Sequence, residues 1–283
     1  WMDDFTIRNL ELFYPSNTEG VSLISILDHT QTSMGARRMK HWLAFPSKDV
    51  DEINLRQLTI KAIIDNETVY YSLEDLLPKI IDLERVMSKI STHKVSPRTL
   101  VHLKESLNII PNILDVLNKS GDKNLKSKAS KFPSVNELVK LLSKTLDSDA
   151  PTLLNKGNVI AKGISGELDE LRDLLSTTKS HLDNLLNKEI ERTKINSLKI
   201  AYNNVYGYYI EVRNTHKDKV PEEWVRKQTL VNAERYITEE LKEFESKIFG
   251  AEDKIKILEE SLYEKLLNEL QNYLTILKLT SNE

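Results

Sequence analysis

Two long apolar stripes at helical spacing, separated by a segment of different period, constrain this chain more than any other feature. The first stripe comprises Leu168, Leu171, Leu175, Thr178, Leu182 and Leu185. The second comprises Ile237, Leu241, Phe244, Ile248, Ala251, Ile255, Leu258 and Leu262. Both advance in steps of three and four residues, as the seam of a coiled-coil helix does. The chain leaves along one helix and must return along the other, so we predict an antiparallel pair, the second helix being about 40 Å long.

The segment between the two stripes has the alternation of β-strands. In SLKIAYNNVYGYYIEV (197–212), apolar side chains recur at every second residue before and after a pair of asparagines. Asn203 and Asn204 tolerate positive φ, so we predict a hairpin turn there between two strands. The tyrosines could stack on nucleic-acid bases, but their alternation with Ile210 and Val212 favours a small core under the hairpin. The sequence thus predicts a small β-containing tip carried by the helix pair.

Helix starts and stops can be recognised before the first stripe. Ser33 is a predicted cap for a helix that Pro46 ends. Asp49 with Glu52 three residues later resembles a capping box at the start of the next helix. A cap, Thr238, is also predicted near the start of the second stripe. These signals predict a body of successive helices.

Further helices are predicted over 76–90 and 100–117. Pro111 is expected to bend or break the second of these helices. The polar stretch 121–128 is predicted to be a loop. The eight glycines and eight prolines are too few for the turns of a many-stranded protein. We therefore predict a mainly α fold, a helical core with a long antiparallel helix pair and a small β-containing tip. The predicted domains are 1–165 for the core and outgoing helix, 166–234 for the tip, and 235–283 for the returning helix.

Composition bounds the class of protein. Hydrophobic residues make up 40% of the chain and charged residues 29%, which is too apolar for a disordered chain. No apolar run approaches the roughly 20 residues that a membrane helix needs, and the first residues do not resemble a signal peptide. The absence of cysteine excludes disulfides and thiolate metal sites and fits a reducing compartment. We expect a cytoplasmic protein.

Residues that could carry chemistry are not grouped as a catalytic site requires. There is no GxxxxGK[ST] loop and no GxGxxG cluster, so nucleotide chemistry is not predicted. The six histidines form no HExxH pair suited to a metal. The carboxylates lie along amphipathic helices, where a solvated face explains them, and the serines lack a nucleophile-elbow context. We predict no catalytic residue, no metal site and no cofactor in this chain.

The predicted tip is locally basic, although the chain as a whole is acidic. Between Lys194 and Asn232 there are seven lysines and arginines against four acidic residues, whereas the whole chain has a net charge of −3. A local patch of this sign suits binding to phosphates. An exposed hairpin also acquires lysines for solubility and for protection of its edge, and on pattern alone that interpretation stays open.

Longer motifs in the same region resemble those of the MutS family. The segments SLKIAYNNVYGYYIEV at 197–212 and RKQTLVNAERYITEELKEFESKI at 226–248 are similar to the family's clamp region. The segments FTIRNLELF at 5–13 and ILDHTQTSMGARRMKHWLAFP at 26–46 resemble the beginning of its core domain. The resemblance spans almost the whole chain, although 76–148 carries no motif that we can place.

The resemblance implies that the helix pair is the lever, and the tip the clamp, of a DNA mismatch-recognition protein. Such proteins form homodimers around double-stranded DNA, act with a MutL-type partner, and use ATP and Mg²⁺ in a separate C-terminal domain. This chain would be the middle part, without the mismatch-reading domain or the ATPase, and so not itself an enzyme. Family clamps contact the DNA backbone without reading bases. By motif match, the expected DNA contacts are Asn203, Asn204, Arg213, Arg226, Lys227, Gln228, Thr229 and Asn232, and Lys217 of the basic tip is a further expected contact.

Two other classes of function are compatible with parts of the sequence. A coiled-coil scaffold would leave an apolar stripe open to a partner chain, whereas a lever pair would cover its stripes within the molecule. An enzyme of unrecognised type would need a pocket with convergent titratable groups, which the sequence does not indicate.

Overall fold

A computed structural model of the protein describes residues 2–203, 205 and 207–283, with the backbone alone described for 178 and 179. The fold is mainly helical with one small antiparallel sheet, which confirms the predicted class. The chain divides into two compact units, a first unit of Trp1–Ala161 with Tyr263–Glu283 and a second unit of Lys162–Leu262. Within the described ranges, every helix is too short or too polar to cross a lipid bilayer.

The helices and strands follow one another along the chain with short connections. The α-helices are α1 (Asp4–Asn9), α2 (Leu23–Leu27), α3 (Ser33–Ala44), α4 (Val50–Ile64), α5 (Glu67–Leu76), α6 (Leu83–Ser91), α7 (Pro97–Leu107), α8 (Ile110–Lys119), α9 (Lys123–Ala129), α10 (Asn136–Thr145), α11 (Gly166–Thr193), α12 (Glu239–Leu270) and α13 (Leu274–Asn282). The strands, all between α11 and α12, are β1 (Lys199–Asn203), β2 (Gly207–Arg213), β3 (Val225–Thr229) and β4 (Ala233–Ile237).

The first unit has an apolar core where α5, α8 and α9 pack together. Its buried members are Val69, Leu73, Ile113, Leu117, Leu125 and Ala129. The last part of α12 and the residue after it bond to the end of α6 and to the connection between α6 and α7. Tyr263 Oη donates to the Val95 carbonyl, and Gln271 Nε2 donates to the Ile90 carbonyl, each at 2.9 Å. These bonds tie the last part of the chain to residues far earlier in the sequence.

The loop predicted over 121–128 is wrong, because this segment contains α9. Asp122 caps the helix by accepting from the backbone N–H groups of Asn124 at 2.7 Å and Leu125 at 3.0 Å. Leu125 and Ala129 are buried in the core of the first unit. A helix of seven residues is marginal in isolation, and two apolar positions give it no recognisable period. Its packing against neighbouring helices therefore decides that it forms.

The predicted helix starts are correct to within one residue. Thr32, and not Ser33, caps α3 by accepting from the backbone N–H of Gly35 at 3.0 Å. Asp49 caps α4 as predicted. The side chain of Glu52 bonds Ser47 and Arg56, so the capping box does not close on Asp49.

Both long helices predicted after α4 are interrupted. Pro111 lies in the first turn of α8, which separates α8 from α7 as predicted. The helix predicted over 76–90 is interrupted by a 3₁₀ turn at Leu77–Lys79, and α6 begins only at Leu83. The turn contains Pro78, whose ring prevents a regular helix from continuing through it.

In the second unit, α11 and α12 are antiparallel, as the stripes predict. Arg172 near the start of α11 pairs with Glu259 late in α12, whereas the ring of His181, further along α11, lies 6.1 Å from that of Phe244 early in α12. Thr238 caps α12 by accepting from the backbone N–H of Leu241 at 3.2 Å. The side chain of Thr178, a predicted stripe member, lies outside the described residues.

The sheet has four strands in the order β1-β2-β4-β3, with every pair antiparallel. Its helix-facing side forms one core with α11 and α12. The buried members of that core are Leu182, Leu185, Ile195, Leu198, Ile210, Val212, Trp224, Tyr236, Leu241 and Ile248. The predicted hairpin is β1–β2, and β3 and β4 were not predicted. The sequence of β3, VRKQT, has no buried residue and thus no alternation to recognise.

A buried ionic cluster joins α11 to α12. Arg172 pairs with Glu259, whose side chain is only 1% exposed, and lies 3.8 Å from Asp169 one turn earlier. Burial of a carboxylate is unfavourable unless a cation and hydrogen bonds compensate it. The cluster therefore fixes the register of the two helices, because sliding one along the other would leave the carboxylate without its cation.

Glu259→Gln is expected to lower the free energy of unfolding by about 1–3 kcal/mol, because a neutral amide replaces the buried carboxylate that pairs with Arg172. Urea unfolding followed by circular dichroism measures the loss. Glu260→Gln, at the exposed neighbouring position, is the matched control and should change stability by less than about 0.5 kcal/mol. Equal stabilities of the two variants would contradict the assigned role.

Candidate nucleic-acid interface

The order of the strands places four of the nine predicted DNA-contacting residues on one edge of the sheet. β3 is an edge strand and carries Arg226, Lys227, Gln228 and Thr229. An edge strand presents backbone N–H and C=O groups that no neighbouring strand pairs. This edge therefore combines side-chain and backbone donors.

The predicted contacts do not all lie together. Asn203 pairs with Gly207 at one end of β2, whereas Arg213 pairs with Ala233 at the other end. β2 has seven residues, so the two ends are about 20 Å apart at the usual rise of an antiparallel strand. Asn203 uses its Oδ1 to accept from the backbone N–H of Val205 at 2.8 Å, which shapes the turn. Asn204 lies outside the described residues, as does Tyr206.

The end of the sheet at Arg213 carries a second group of exposed polar residues. Arg213, Lys217 and Asn232 are all exposed there. Asn214 joins their segments by donating its backbone N–H to the Asn232 carbonyl at 3.1 Å and its Nδ2 to the Val231 carbonyl at 2.9 Å. The 3₁₀ turn that contains Lys217 is thereby held against the β3–β4 turn, next to the edge formed by β3.

Arg226 is held by an ion pair with a buried carboxylate. Its Nη1 lies 3.2 Å from Glu234 Oε1 on β4, and Tyr236 Oη donates to the other oxygen of the same carboxylate. The Tyr236 bond, with smaller contributions from Arg226 and Lys217, holds the pKa of Glu234 below its usual range. Burial, together with the bond to Glu234, raises the pKa of Tyr236 to about 12. At neutral pH the cluster thus contains a carboxylate, a phenol and a guanidinium.

Lys227 is the extra residue of a β-bulge. The pairing of β3 with β4 shifts between Arg226 and Gln228, so Lys227 faces no residue of β4. Its side chain is exposed and, within the part of the chain that the structure describes, makes no ion pair. A bulge of this kind bends an edge strand and redirects a side chain. Of the two cations on β3, Arg226 is held by an ion pair with Glu234, whereas the Lys227 side chain is exposed at the bulge.

Gln228 belongs to a polar row on the sheet face opposite the helices. Arg235 Nη1 donates to Gln228 Oε1 at 2.8 Å, and Arg235 Nε lies 3.4 Å from Glu211 Oε2. The guanidinium of Arg235 also lies over the ring of Tyr209, 4.4 Å from its centroid. Arg235 is therefore ordered by three neighbours and fixes the orientation of the Gln228 amide.

The tyrosines pack mainly within the sheet. Tyr208 packs against the core between sheet and helices, next to Ile210 and Val212, as the favoured interpretation predicts. Tyr202 is exposed, but its ring lies 5.2 Å from that of Tyr208 and 5.7 Å from that of Phe249. Tyr209 is buried on the opposite face under Arg235.

Gly207, the first residue of β2, lies close to Glu245 of α12. Its φ is +75°, and a Cβ placed on it would lie 2.0 Å from the Glu245 carboxylate oxygen Oε1. An L-residue there would be strained in its backbone and would also displace Glu245. The turn therefore depends on glycine for two separate reasons.

Comparison with known proteins identifies the family to which this chain belongs. The family model described as MutS domain III matches residues 5–282. The chain belongs to the MutS family. DNA mismatch repair protein MutS of Christiangramia forsetii is 50% identical over 97% of this chain and 32% of its own length. The proteins of the same name from Porphyromonas gingivalis and Bacteroides fragilis are 48% and 45% identical over 99% and 100% of this chain, and 31% and 33% of their own lengths.

This MutS domain III chain thus spans about a third of the length of the relatives that it matches. Among its described residues, no group of three or more His, Cys, Asp or Glu side chains could hold a metal ion.

Sequence reasoning missed the residues of β4 that support the edge strand. Glu234 and Tyr236 face Arg226 on the helix side, whereas Arg235 faces Gln228 on the other side. The sequence of β4, AERYI, does not alternate apolar with polar residues, so it carries no clear strand signal. The two side-chain networks could not be predicted either, because they depend on the register of β4 with β3.

Gly207→Ala is expected to lower the free energy of unfolding by about 1–3 kcal/mol, because alanine is strained at this φ and collides with Glu245. Gly250→Ala is the matched control, since it lies within α12 with open space around its Cβ position. The control should raise stability by about 0.5–1 kcal/mol. Urea unfolding compares the two, and a stabilising Gly207→Ala would show that the turn is not held as described.

Proposed function

We propose that this chain binds double-stranded DNA through the phosphate backbone and without reading bases. The observation that carries the proposal is the edge of β3 with the neighbouring end of the sheet. Arg226, Lys227, Arg213 and Lys217 are exposed there, alongside the unpaired backbone of an edge strand. Clustered cations of this kind bind phosphates with the release of counterions. The relatives are named as DNA mismatch repair proteins, which supports DNA as the polyanion.

The chemistry of the edge favours backbone contact over base recognition. Sequence is read mainly by a helix or a two-stranded ribbon that enters the major groove and aligns bidentate side chains with base edges. Gln228, which could pair with adenine, has its amide oxygen occupied by Arg235. The remaining groups are cations, hydroxyls and amide N–H donors, which position a protein on phosphates and carry no sequence information.

Within a full-length MutS protein, we propose that this part links DNA binding to the ATP- and Mg²⁺-dependent chemistry of a separate domain, in a homodimer that acts with a MutL-type partner. α12 is one continuous helix of 32 residues that starts directly after β4 and ends among residues of the first unit. A ligand at the sheet can shift such a helix only if it binds one helix position better than another.

The coiled-coil scaffold is less well supported. Every stripe member whose side chain is described is buried or half-buried within the molecule, with Leu168, Leu182, Leu185, Leu241 and Ile248 among the buried ones. A scaffold would instead keep such a seam open to another chain. The intramolecular core shared by α11, α12 and the sheet favours the DNA-binding proposal.

Fluorescence anisotropy with matched and mismatched duplexes across a salt series tests the proposal. We expect binding that does not distinguish the two duplexes and weakens steeply as salt rises, because phosphates alone are contacted. Arg226→Ala with Lys227→Ala should weaken binding and reduce the slope of log K against log salt by about two, roughly one per lost phosphate contact.

The matched control is Lys140→Ala with Lys144→Ala, which removes the same charge from exposed positions on α10 in the first unit. It should leave the slope unchanged. Absence of binding at low salt, or equal effects of the two double variants, would overturn the proposal that the edge of β3 is the contact.

A further inference from the structure

The carboxylate of Glu234 lies beneath the exposed guanidinium of Arg226. Its side chain is 11% exposed, whereas that of Arg226 is 61% exposed. We propose that Glu234 is a positioning residue, which holds Arg226 in place to receive a DNA phosphate. The proposal rests on the proposed function and extends it from the residues that contact DNA to a residue that does not.

Among the described residues, the contact of the Arg226 side chain with Glu234 engages one guanidinium nitrogen, Nη1. A guanidinium has five N–H donors. Glu234 is itself fixed, because Tyr236 Oη donates to its second oxygen and Tyr236 is buried in the core, with its ring 6.0 Å from that of Trp224. Tyr236, which is held in the core, thus orients Glu234, and Glu234 in turn orients the exposed guanidinium of Arg226.

Two physical effects of Glu234 on phosphate binding oppose each other. Its negative charge reduces the attraction of the edge for a polyanion. Its contact with Arg226 removes rotamer freedom that a long side chain would otherwise lose on binding. Salt screens the charge of a buried carboxylate only weakly, so this cost is present at every salt concentration, whereas the ordering acts directly on the contacting group. We infer that ordering is the larger effect.

The neighbouring position on β3 is arranged in the same way. Arg235 has only donors, so Gln228 must offer its Oε1 to it, and the Gln228 NH₂ group is left as the open end of the amide. Lys227 lies between the two held residues on the bulge. Three consecutive residues of the edge strand thus offer donors, and β4 orients the first and the third.

Glu234→Gln separates the two effects because they predict opposite signs. The amide retains an acceptor for Tyr236 but loses the charge-assisted bond to Arg226. We expect duplex binding, measured by anisotropy at fixed salt, to weaken by roughly two- to tenfold, the range for ordering one long side chain. Glu222→Gln is the matched control, since it removes an exposed carboxylate of the same tip, and it should strengthen binding slightly.

A double-mutant cycle distinguishes positioning from general damage to the fold. In an Arg226→Ala background, Glu234→Gln should no longer weaken binding, whereas a merely structural role would weaken it equally in both backgrounds. Tyr236→Phe is a second variant that leaves the charge unchanged and releases Glu234, and it should also weaken binding. Circular dichroism melting reports any loss of folded protein in each variant.

The outcomes separate this inference from the proposed function. If Arg226→Ala weakens binding but Glu234→Gln strengthens it as Glu222→Gln does, Glu234 acts only by its charge and the positioning role is overturned. If Arg226→Ala has no effect, the proposed contact at β3 is itself wrong. Weakening by Glu234→Gln that disappears without Arg226 supports the inference.

Discussion

The packing of α11 and α12 against one face of the sheet is the interaction on which the second unit depends. Leu182 and Leu185 from α11 and Leu241 and Ile248 from α12 share a core with the sheet residue Ile210. A small sheet is only marginally stable in water unless it packs against another element. The apolar faces of α11 and α12 likewise need a surface that covers them. Each part therefore supplies the apolar surface that the other must bury.

The position of the cations follows from that packing. The helices cover one face of the sheet, whereas β3 lies at an edge of it, and the cations of β3 and Arg213 at the end of the sheet are exposed. β4 lies between β2 and the edge strand β3, so its residues contact both the core and the side chains of β3. Tyr236 packs into the core while Glu234 and Arg235 hold side chains of β3. The side chains of the candidate site are therefore positioned by residues of β4, a strand that also contributes to the core.

Long periodic elements were predictable because many residues contribute to each pattern. The stripes of α11 and α12 and the alternation of β1 and β2 are of this kind, as are caps such as Asp49. Short elements were not: α9 has two buried apolar contacts, and β3 has none. The predicted DNA contacts came from a resemblance, and neither their grouping nor their partners could be deduced from it, because both depend on strand register.

The sequence by itself determined the helix pair, the β-containing tip and the family, because local periodicity and long motifs are properties of consecutive residues. Tertiary structure alone decided which residues share the edge of β3, that Asn203 lies at the far end of the sheet, and that Glu234 meets Arg226. Those facts depend on pairing between strands that are separated along the chain. The register that sets them is fixed only when the whole unit buries its core.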